Sequence, residues 1–158
     1  MTKEPFKAEW RRTRKRWMSK KGAGFLVGKF DNGGNLKFLG LISPIEKRAK
    51  NGGIYDLPKG SIQKGESTLE CAKRECFEES GIKISDSDII GYPVSNENIT
   101  IYPAITTQDA LILPNPESGI IEHEGYVWVS AQELFRGAPE WLRGVIVDGL
   151  GRFSKIQK

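Results

Sequence analysis

Glu70, Glu75, Glu78 and Glu79 fall within ten residues of one another in "GSIQKGESTLECAKRECFEESGI", residues 60–82 of the 158-residue chain. The spacing predicts a helix from about Thr68 to Ser80. Ser67 and Glu70 make an S-x-x-E capping box at its start. Gly81 suits the left-handed position that ends a helix. Leu69, Ala72, Cys76 and Ser80 are spaced to put one face toward a core. Glu75, Glu78 and Glu79 then cluster on an adjoining face, and Arg74, four residues from both Glu70 and Glu78, can brace that ridge.

Such a cluster opposes its own helix. Carboxylates in a C-terminal turn are disfavoured by ~0.3–1 kcal/mol each. Two carboxylates ~5 Å apart at an effective dielectric of ~20 repel by about 3 kcal/mol. A solvated acidic helix end normally mixes Lys or Arg into its last turn, and none stands between Arg74 and Gly81. A divalent cation removes the conflict, and carboxylate oxygens are the ligands that Mg²⁺ and Mn²⁺ prefer. A helix end that breaks its local rule points to function.

The surrounding elements must hold that helix. "GAGFLVGKF" (22–30) and "LKFLGLI" (36–42) read as strands joined through the turn "DNGGN". "PIEKRAKNGG" (44–53) reads as a polar loop and "IYDLPKG" (54–60) as a short extended piece. "DIIGYPV" (88–94), "ITIYPAIT" (99–106), "ALILP" (110–114) and "EGYVWVS" (124–130) read as strands, and residues 139–156 as a C-terminal helix with Pro139 near its first turn. Strands with few, well-spaced helices argue an α+β fold with a mixed sheet rather than a βαβ repeat. The length fits a single core of useful size. No apolar run reaches membrane-span length, so no membrane partner is expected. Cys71 and Cys76 would point about 140° apart on a helix and are poor disulfide partners, which fits a reducing, cytoplasmic setting.

Charge is uneven. Residues 1–21 carry nine Lys or Arg against Glu4 and Glu9, whereas the whole chain is only +4. A basic N-terminal arm or helix (1–21) on an acidic domain (22–158) has two readings: a solvated terminal segment, or a contact for phosphate-rich partners, RNA included.

The acidic stretch resembles the Nudix box, G-x5-E-x7-R-E-U-x-E-E-x-G-U with U apolar. Gly60, Glu66, Arg74, Glu75, Cys76, Glu78, Glu79, Gly81 and Ile82 match it, with cysteine packing as a small hydrophobe. The resemblance implies a loop–helix–loop against a mixed β-sheet sandwiched between α-helices (α/β/α). It implies Mg²⁺- or Mn²⁺-dependent pyrophosphohydrolysis of a nucleoside diphosphate linked to another moiety. Glu75, Glu78 and Glu79 would then ligate metal or position water, joined by the Lys59 carbonyl. Arg74 would orient the glutamates, and Gly60, Glu66 and Gly81 would support the box. The general base would be Glu75 or a glutamate outside the box.

"IEHEGYVWVSAQEL" (121–134) is similar to the late strand and following helix of the diadenosine-polyphosphate hydrolase branch. That likeness implies an extra metal ligand or base, with Glu122 in the better place and Glu124 as competitor. His123, the only histidine, is expected to make a local hydrogen bond, although a phosphate contact is open to it. Tyr126 and Trp128 share one strand face, to stack on a base or to pack in the core. "LPKG" (57–60) puts the Lys59 ammonium beside the metal loop, where it could meet a phosphate. It also looks like the dinucleoside-polyphosphate, diphosphoinositol and RNA-decapping branches. Asn98 stands where the ADP-ribose branch is expected to carry proline, and Tyr102 is shifted from the tyrosine of the dinucleotide branch. The expected substrate is a phosphate-rich small molecule, a dinucleoside polyphosphate first. The alternatives are an RNA 5′ end held by the basic arm, a diphosphoinositol polyphosphate, and a non-catalytic binding module.

Overall fold

The computed structural model describes residues 21–112 and 114–156; residues 1–20, and with them the basic arm and its RNA reading, lie outside the described residues. In chain order the elements are β1 (Gly22–Phe30), β2 (Leu36–Ile42), α1 (Ile45–Asn51), β3 (Tyr55–Asp56), β4 (Lys59–Ser61), α2 (Thr68–Ser80), β5 (Val94–Ser95), β6 (Ile99–Ile105), β7 (Gly125–Val129), α3 (Ala131–Gly137) and α4 (Glu140–Leu150).

The strands form one mixed sheet. β6 runs parallel to β1 from Gly22↔Ile99 to Gly28↔Ile105. β7 lies antiparallel to β2, and β5 to β6. β1 meets β2 only over residues 28–30 and meets β4 over 22–24. β2 in turn meets β3 at Leu41 and Ile42. With β6 along one edge of β1, both β2 and β4 must use the other. The two long strands therefore diverge, and residues 55–61 fill the wedge between them. The Phe25 amide donates to the Pro58 carbonyl at 3.1 Å across that wedge.

Alternation along the strands makes two cores. On one face Leu26, Phe38, Ile99 and Ile101 pack with Leu134 of α3 and Leu142 and Ile146 of α4. On the other, Phe25, Val27, Leu39 and Leu41 pack with Cys71, Ala72 and Cys76 of α2. Each large side chain buried this way contributes about 1.5–3 kcal/mol. The result is the α/β/α sandwich of the α+β class that the motif implied. Both cysteines are buried and unpaired. Among the described residues no helix is long and apolar enough to cross a membrane.

Three expectations are corrected. The polar segment 44–53 holds α1, which starts after Pro44 and ends at Gly52 in the left-handed conformation; its polarity reflects exposure, not lack of helix. Residues 88–94 are mostly not strand. Ser85 caps a short 3-10 turn at Asp86–Asp88, Ile89 makes a single bridge to Ala104, and pairing resumes only at Val94. Pro93, which has no amide to donate, sits in that interruption. Residues 110–112 and 114 form no strand: Ala110 packs into the core, while Leu111 is exposed and its amide donates to the Ser80 carbonyl. Here a continuous apolar run is a loop pinned over a helix end.

Candidate active site

Helix α2 begins with the expected capping box. Ser67 Oγ accepts from the Glu70 amide and Glu70 Oε1 accepts from the Ser67 amide, both at 3.0 Å. It ends at Gly81, φ +72°, whose amide donates to the Phe77 carbonyl. Because the cap occupies Glu70, Arg74 does not brace it as the spacing suggested. Arg74 Nε and Nη2 instead donate to Glu66 at 2.6 and 3.0 Å. Nη1 reaches Glu75 at 2.7 Å and Glu78 at 3.2 Å, and Nη2 also reaches the Ser61 carbonyl. One guanidinium thus ties three carboxylates to the wedge segment. Its hydrogen bonds hold the Glu66 carboxyl down at about 2.

Glu75 lies directly over Gly60. A β-carbon at that position would overlap the Glu75 carboxylate. Glycine leaves room there for the Glu75 carboxylate, which any larger residue would push aside; no unusual backbone angle is involved. Burial raises the Glu75 pKa, opposed by Arg74 and reinforced by the charges of Glu78 and Glu122. Gly60→Ala should therefore fold with a loss of about 1–3 kcal/mol and lose most activity as Glu75 is displaced. Thermal melts and initial rates read the two effects separately, and a fully active variant would show that Glu75 does not need this seat.

Glu79 turns inward to a different set of partners. Its Oε1 accepts from the Lys59 amide at 2.7 Å, and its Oε2 lies 3.7 Å from His123 Nδ1. The other ring nitrogen, Nε2, stands 3.3 Å from Asp56 Oδ2. Burial, with the neighbouring Asp56 charge, pushes the Glu79 carboxyl up to about 9. Burial also works against ionised Asp56, but the bonds from His123 and Lys59 win and hold its pKa below the usual value. His123 does make a hydrogen bond, but a long-range one rather than a local one. Asp56 was not singled out by sequence; its partner is 67 residues away, and a lone Asp before Leu-Pro carries no signal.

Lys59 contributes to this network through its amide. Its ammonium is 3.3 Å from Asp56 Oδ1 and 5.3 Å from the Trp141 ring centroid.

Glu122 and Glu124 face different ways. Glu122 accepts from Asn115 Nδ2 at 3.2 Å. It lines a cleft of about 10 Å³ with Glu78, Glu79, Ile112, Asn115 and His123. Glu124 turns away to the start of α1, where it meets the Ile45 amide and Arg48. Asn115, too, carried no signal in the sequence. Tyr126 and Trp128 do share a face, half-buried against the α2-side core. Neither lines the acidic cleft.

The donor set suits a hard divalent cation. Three carboxylates line one small cleft, Glu75 stands close enough to feel Glu78 and Glu122, and two of the four glutamates are held above their ordinary pKa by burial. Among the described residues, no three His, Cys, Asp or Glu side chains are already grouped as ligands. Arg74 Nη1 binds Glu75 and Glu78 in this arrangement. The residues fit a hard divalent cation in chemistry.

The NUDIX domain model matches residues 22–148. Nudix hydrolase 6 of Arabidopsis thaliana is 28% identical over 124 residues, covering 70% of this chain, which spans 44% of that relative's length. Among solved structures, the C. elegans Ap4A hydrolase binary complex superposes with a TM-score of 0.61 at 18% identity, over 86% of this chain and 100% of that one. The MutT protein of Methanosarcina mazei Go1 gives 0.56 at 23% identity, over 86% and 96%. At these identities the two structures are matches of fold.

Proposed function

We propose that this chain, which belongs to the Nudix family, hydrolyses a phosphoanhydride bond in a nucleoside diphosphate joined to another moiety, with a dinucleoside polyphosphate as its substrate. The observation that carries this reading is the gathering of Glu78, Glu79 and Glu122 on one cleft beside Glu75, a cluster of carboxyl groups that, once ionised, repels a polyphosphate unless cations lie between them. Glu75, Glu78, Glu79 and Glu122 would hold Mg²⁺ or Mn²⁺, and the Lys59 carbonyl is the further candidate ligand. When bound there, the cation neutralises the bridge, polarises its phosphoryl oxygens and lowers the pKa of water.

The chain's own residues do the positioning, which dominates phosphoryl transfer. Glu66 locks Arg74, and Arg74 aims Glu75 and Glu78. The Lys59 amide and His123 fix the two oxygens of Glu79. Asn115 holds Glu122 on the cleft. Glu75 or Glu122 takes the proton from the attacking water. The dinucleotide preference is supported by "LPKG" and by "IEHEGYVWVSAQEL", of which Glu122 and His123 face the cleft.

The test is phosphate release through a coupled phosphatase, with Mg²⁺ or Mn²⁺. The panel holds diadenosine polyphosphates, ADP-ribose, nucleoside triphosphates, diphosphoinositols and 5′-triphosphorylated RNA. Fastest turnover of a diadenosine polyphosphate, abolished by chelation, is the expected result. Preference for RNA would move the reading to 5′-end hydrolysis, and silence across the panel from folded protein would make the chain a binding module.

A further inference from the structure

The acidic cleft, at about 10 Å³, holds little more than one water-sized ligand, so the organic parts of a substrate must rest elsewhere. A larger cavity of about 190 Å³ opens beside the β1–β2 turn, lined by Lys29, Phe30, Asp31, Asn32, Lys37 and Trp128. Lys29 continues the alternation of Phe25 and Val27, and Lys37 that of Leu39 and Leu41. Trp128 packs against the same core cluster. The cavity is therefore on the α2 face of the sheet, the face that carries the glutamates.

Its chemistry is specific. Lys29 Nζ sits 5.3 Å from the Trp128 ring centroid. Among the described residues neither Lys29 nor Lys37 has a carboxylate at ion-pair distance. The nearby acids, Asp31 and Asp109, feel the charges of Lys37 and Lys29 but are held by other donors. Asp31 accepts from the Gly33 and Asn35 amides, at 2.9 and 2.8 Å. Asp109 accepts from the Ala110 amide and from Trp128 Nε1, at 2.8 and 3.0 Å, and so fixes the indole's orientation. A held indole beside two ammonium groups, neither with a carboxylate at ion-pair distance, matches a ligand that is both planar and anionic. Such a ligand would lay its ring on Trp128, and Lys29 would move to its phosphate.

We propose that this cavity is the subsite for the remote nucleoside of a long-bridged substrate, with the base on Trp128 and the adjoining phosphates at Lys29 and Lys37. The assignment rests on the reading of the acidic cleft as a phosphoanhydride site. Glu122 and Trp128 are six residues apart along one chain segment, so at ~3.3 Å per residue the two sites lie within about 20 Å. A bridge of several phosphates between two nucleosides has the length and charge for that path, with Tyr126 between the sites on the strand.

AMP titrated into the full chain without divalent cation probes the cavity alone, because the acidic cleft then repels phosphate. Diadenosine tetraphosphate kinetics with Mg²⁺ probe both sites together. Trp128→Leu and, separately, the paired Lys29→Gln and Lys37→Gln variant should each weaken AMP about tenfold. Each should raise KM for the tetraphosphate by about the same factor, with a much smaller change in kcat. The lysine pair is half-buried and outside the hydrophobic core, and keeps the test usable should the tryptophan variant fail to fold. If AMP does not bind the full chain, or the lysine variant leaves both its Kd and the tetraphosphate KM unchanged, the subsite is wrong whatever the enzyme's activity. If the tetraphosphate is not turned over but AMP binding is lost in the variants, the subsite stands and the hydrolase reading falls.

Discussion

Glu78→Gln should lower kcat by roughly 10³-fold, about 4 kcal/mol of transition-state stabilisation, while the melting temperature stays level or rises. Both halves follow from the same geometry. Glu78 lines the acidic cleft, and its charge raises the pKa of Glu75. On the role proposed for Glu78, amide for carboxylate would remove a cation ligand, hence the loss of rate. It also removes a like charge from a crowded helix end, hence the retained or improved stability. Gln keeps an oxygen that can accept from Arg74 Nη1, which now reaches Glu78 at 3.2 Å. Arg74→Gln makes the contrast: it would leave Glu66, Glu75 and Glu78 without their shared partner and should lose stability together with activity. Rates and melts on the two variants separate ligand from brace. A Glu78→Gln enzyme with near wild-type kcat would remove Glu78 from the chemistry.

What could be read from sequence is what short spacing controls. The bounds of α2, its capping box and the left-handed Gly81 are local, and all three stand. So does the sandwich that the resemblance implied: one face of the strands packs on α2 and the other on α3 and α4. Helix spacing offers Arg74 both Glu70 and Glu78, and Arg74 does brace Glu78 and its neighbour Glu75. The cap had already taken Glu70, and Glu66, outside the helix, won the guanidinium. Residues 44–53 show the reverse error, since polarity suggests a loop although Pro44 and Gly52 bracket a helix of about two turns. The inner half of the site depends on the wedge between β1 and β2, which brings Asp56 and Lys59 to His123 and Glu79. No local pattern encodes that meeting. The different orientations of Glu122 and Glu124 are likewise invisible locally, because they depend on Asn115 and Arg48, which hold the two carboxylates on different surfaces.

With divalent cations chelated, the protein should become less stable as pH rises from about 5 to 8, and Mg²⁺ should reverse the loss. Burial pushes the Glu79 carboxyl from 4.5 up to about 9, and Glu75 moves in the same direction. The native state therefore keeps a proton that the unfolded chain releases above pH ~4.5, so stability falls with pH throughout that window. Between its unfolded pKa and neutrality, Glu79 alone is worth on the order of 3 kcal/mol, or roughly 6–12 °C in melting temperature. Asp56, whose pKa is lowered, acts in the opposite sense, but its stabilisation is lost only in acid, as pH falls through its depressed pKa, and so outside this range. A cation on the glutamates requires Glu79 to ionise, so binding releases the proton and tightens with pH. Its stabilisation should accordingly be largest at the alkaline end. Melts at several pH values, with chelator or with Mg²⁺, measure both slopes. Glu79→Gln should flatten the chelated slope and shrink the Mg²⁺ shift together, because one buried carboxyl is responsible for both. A chelated melting temperature that holds steady or climbs across this range would mean that Glu79 is already ionised in the cation-free fold, held so by the Lys59 amide and His123.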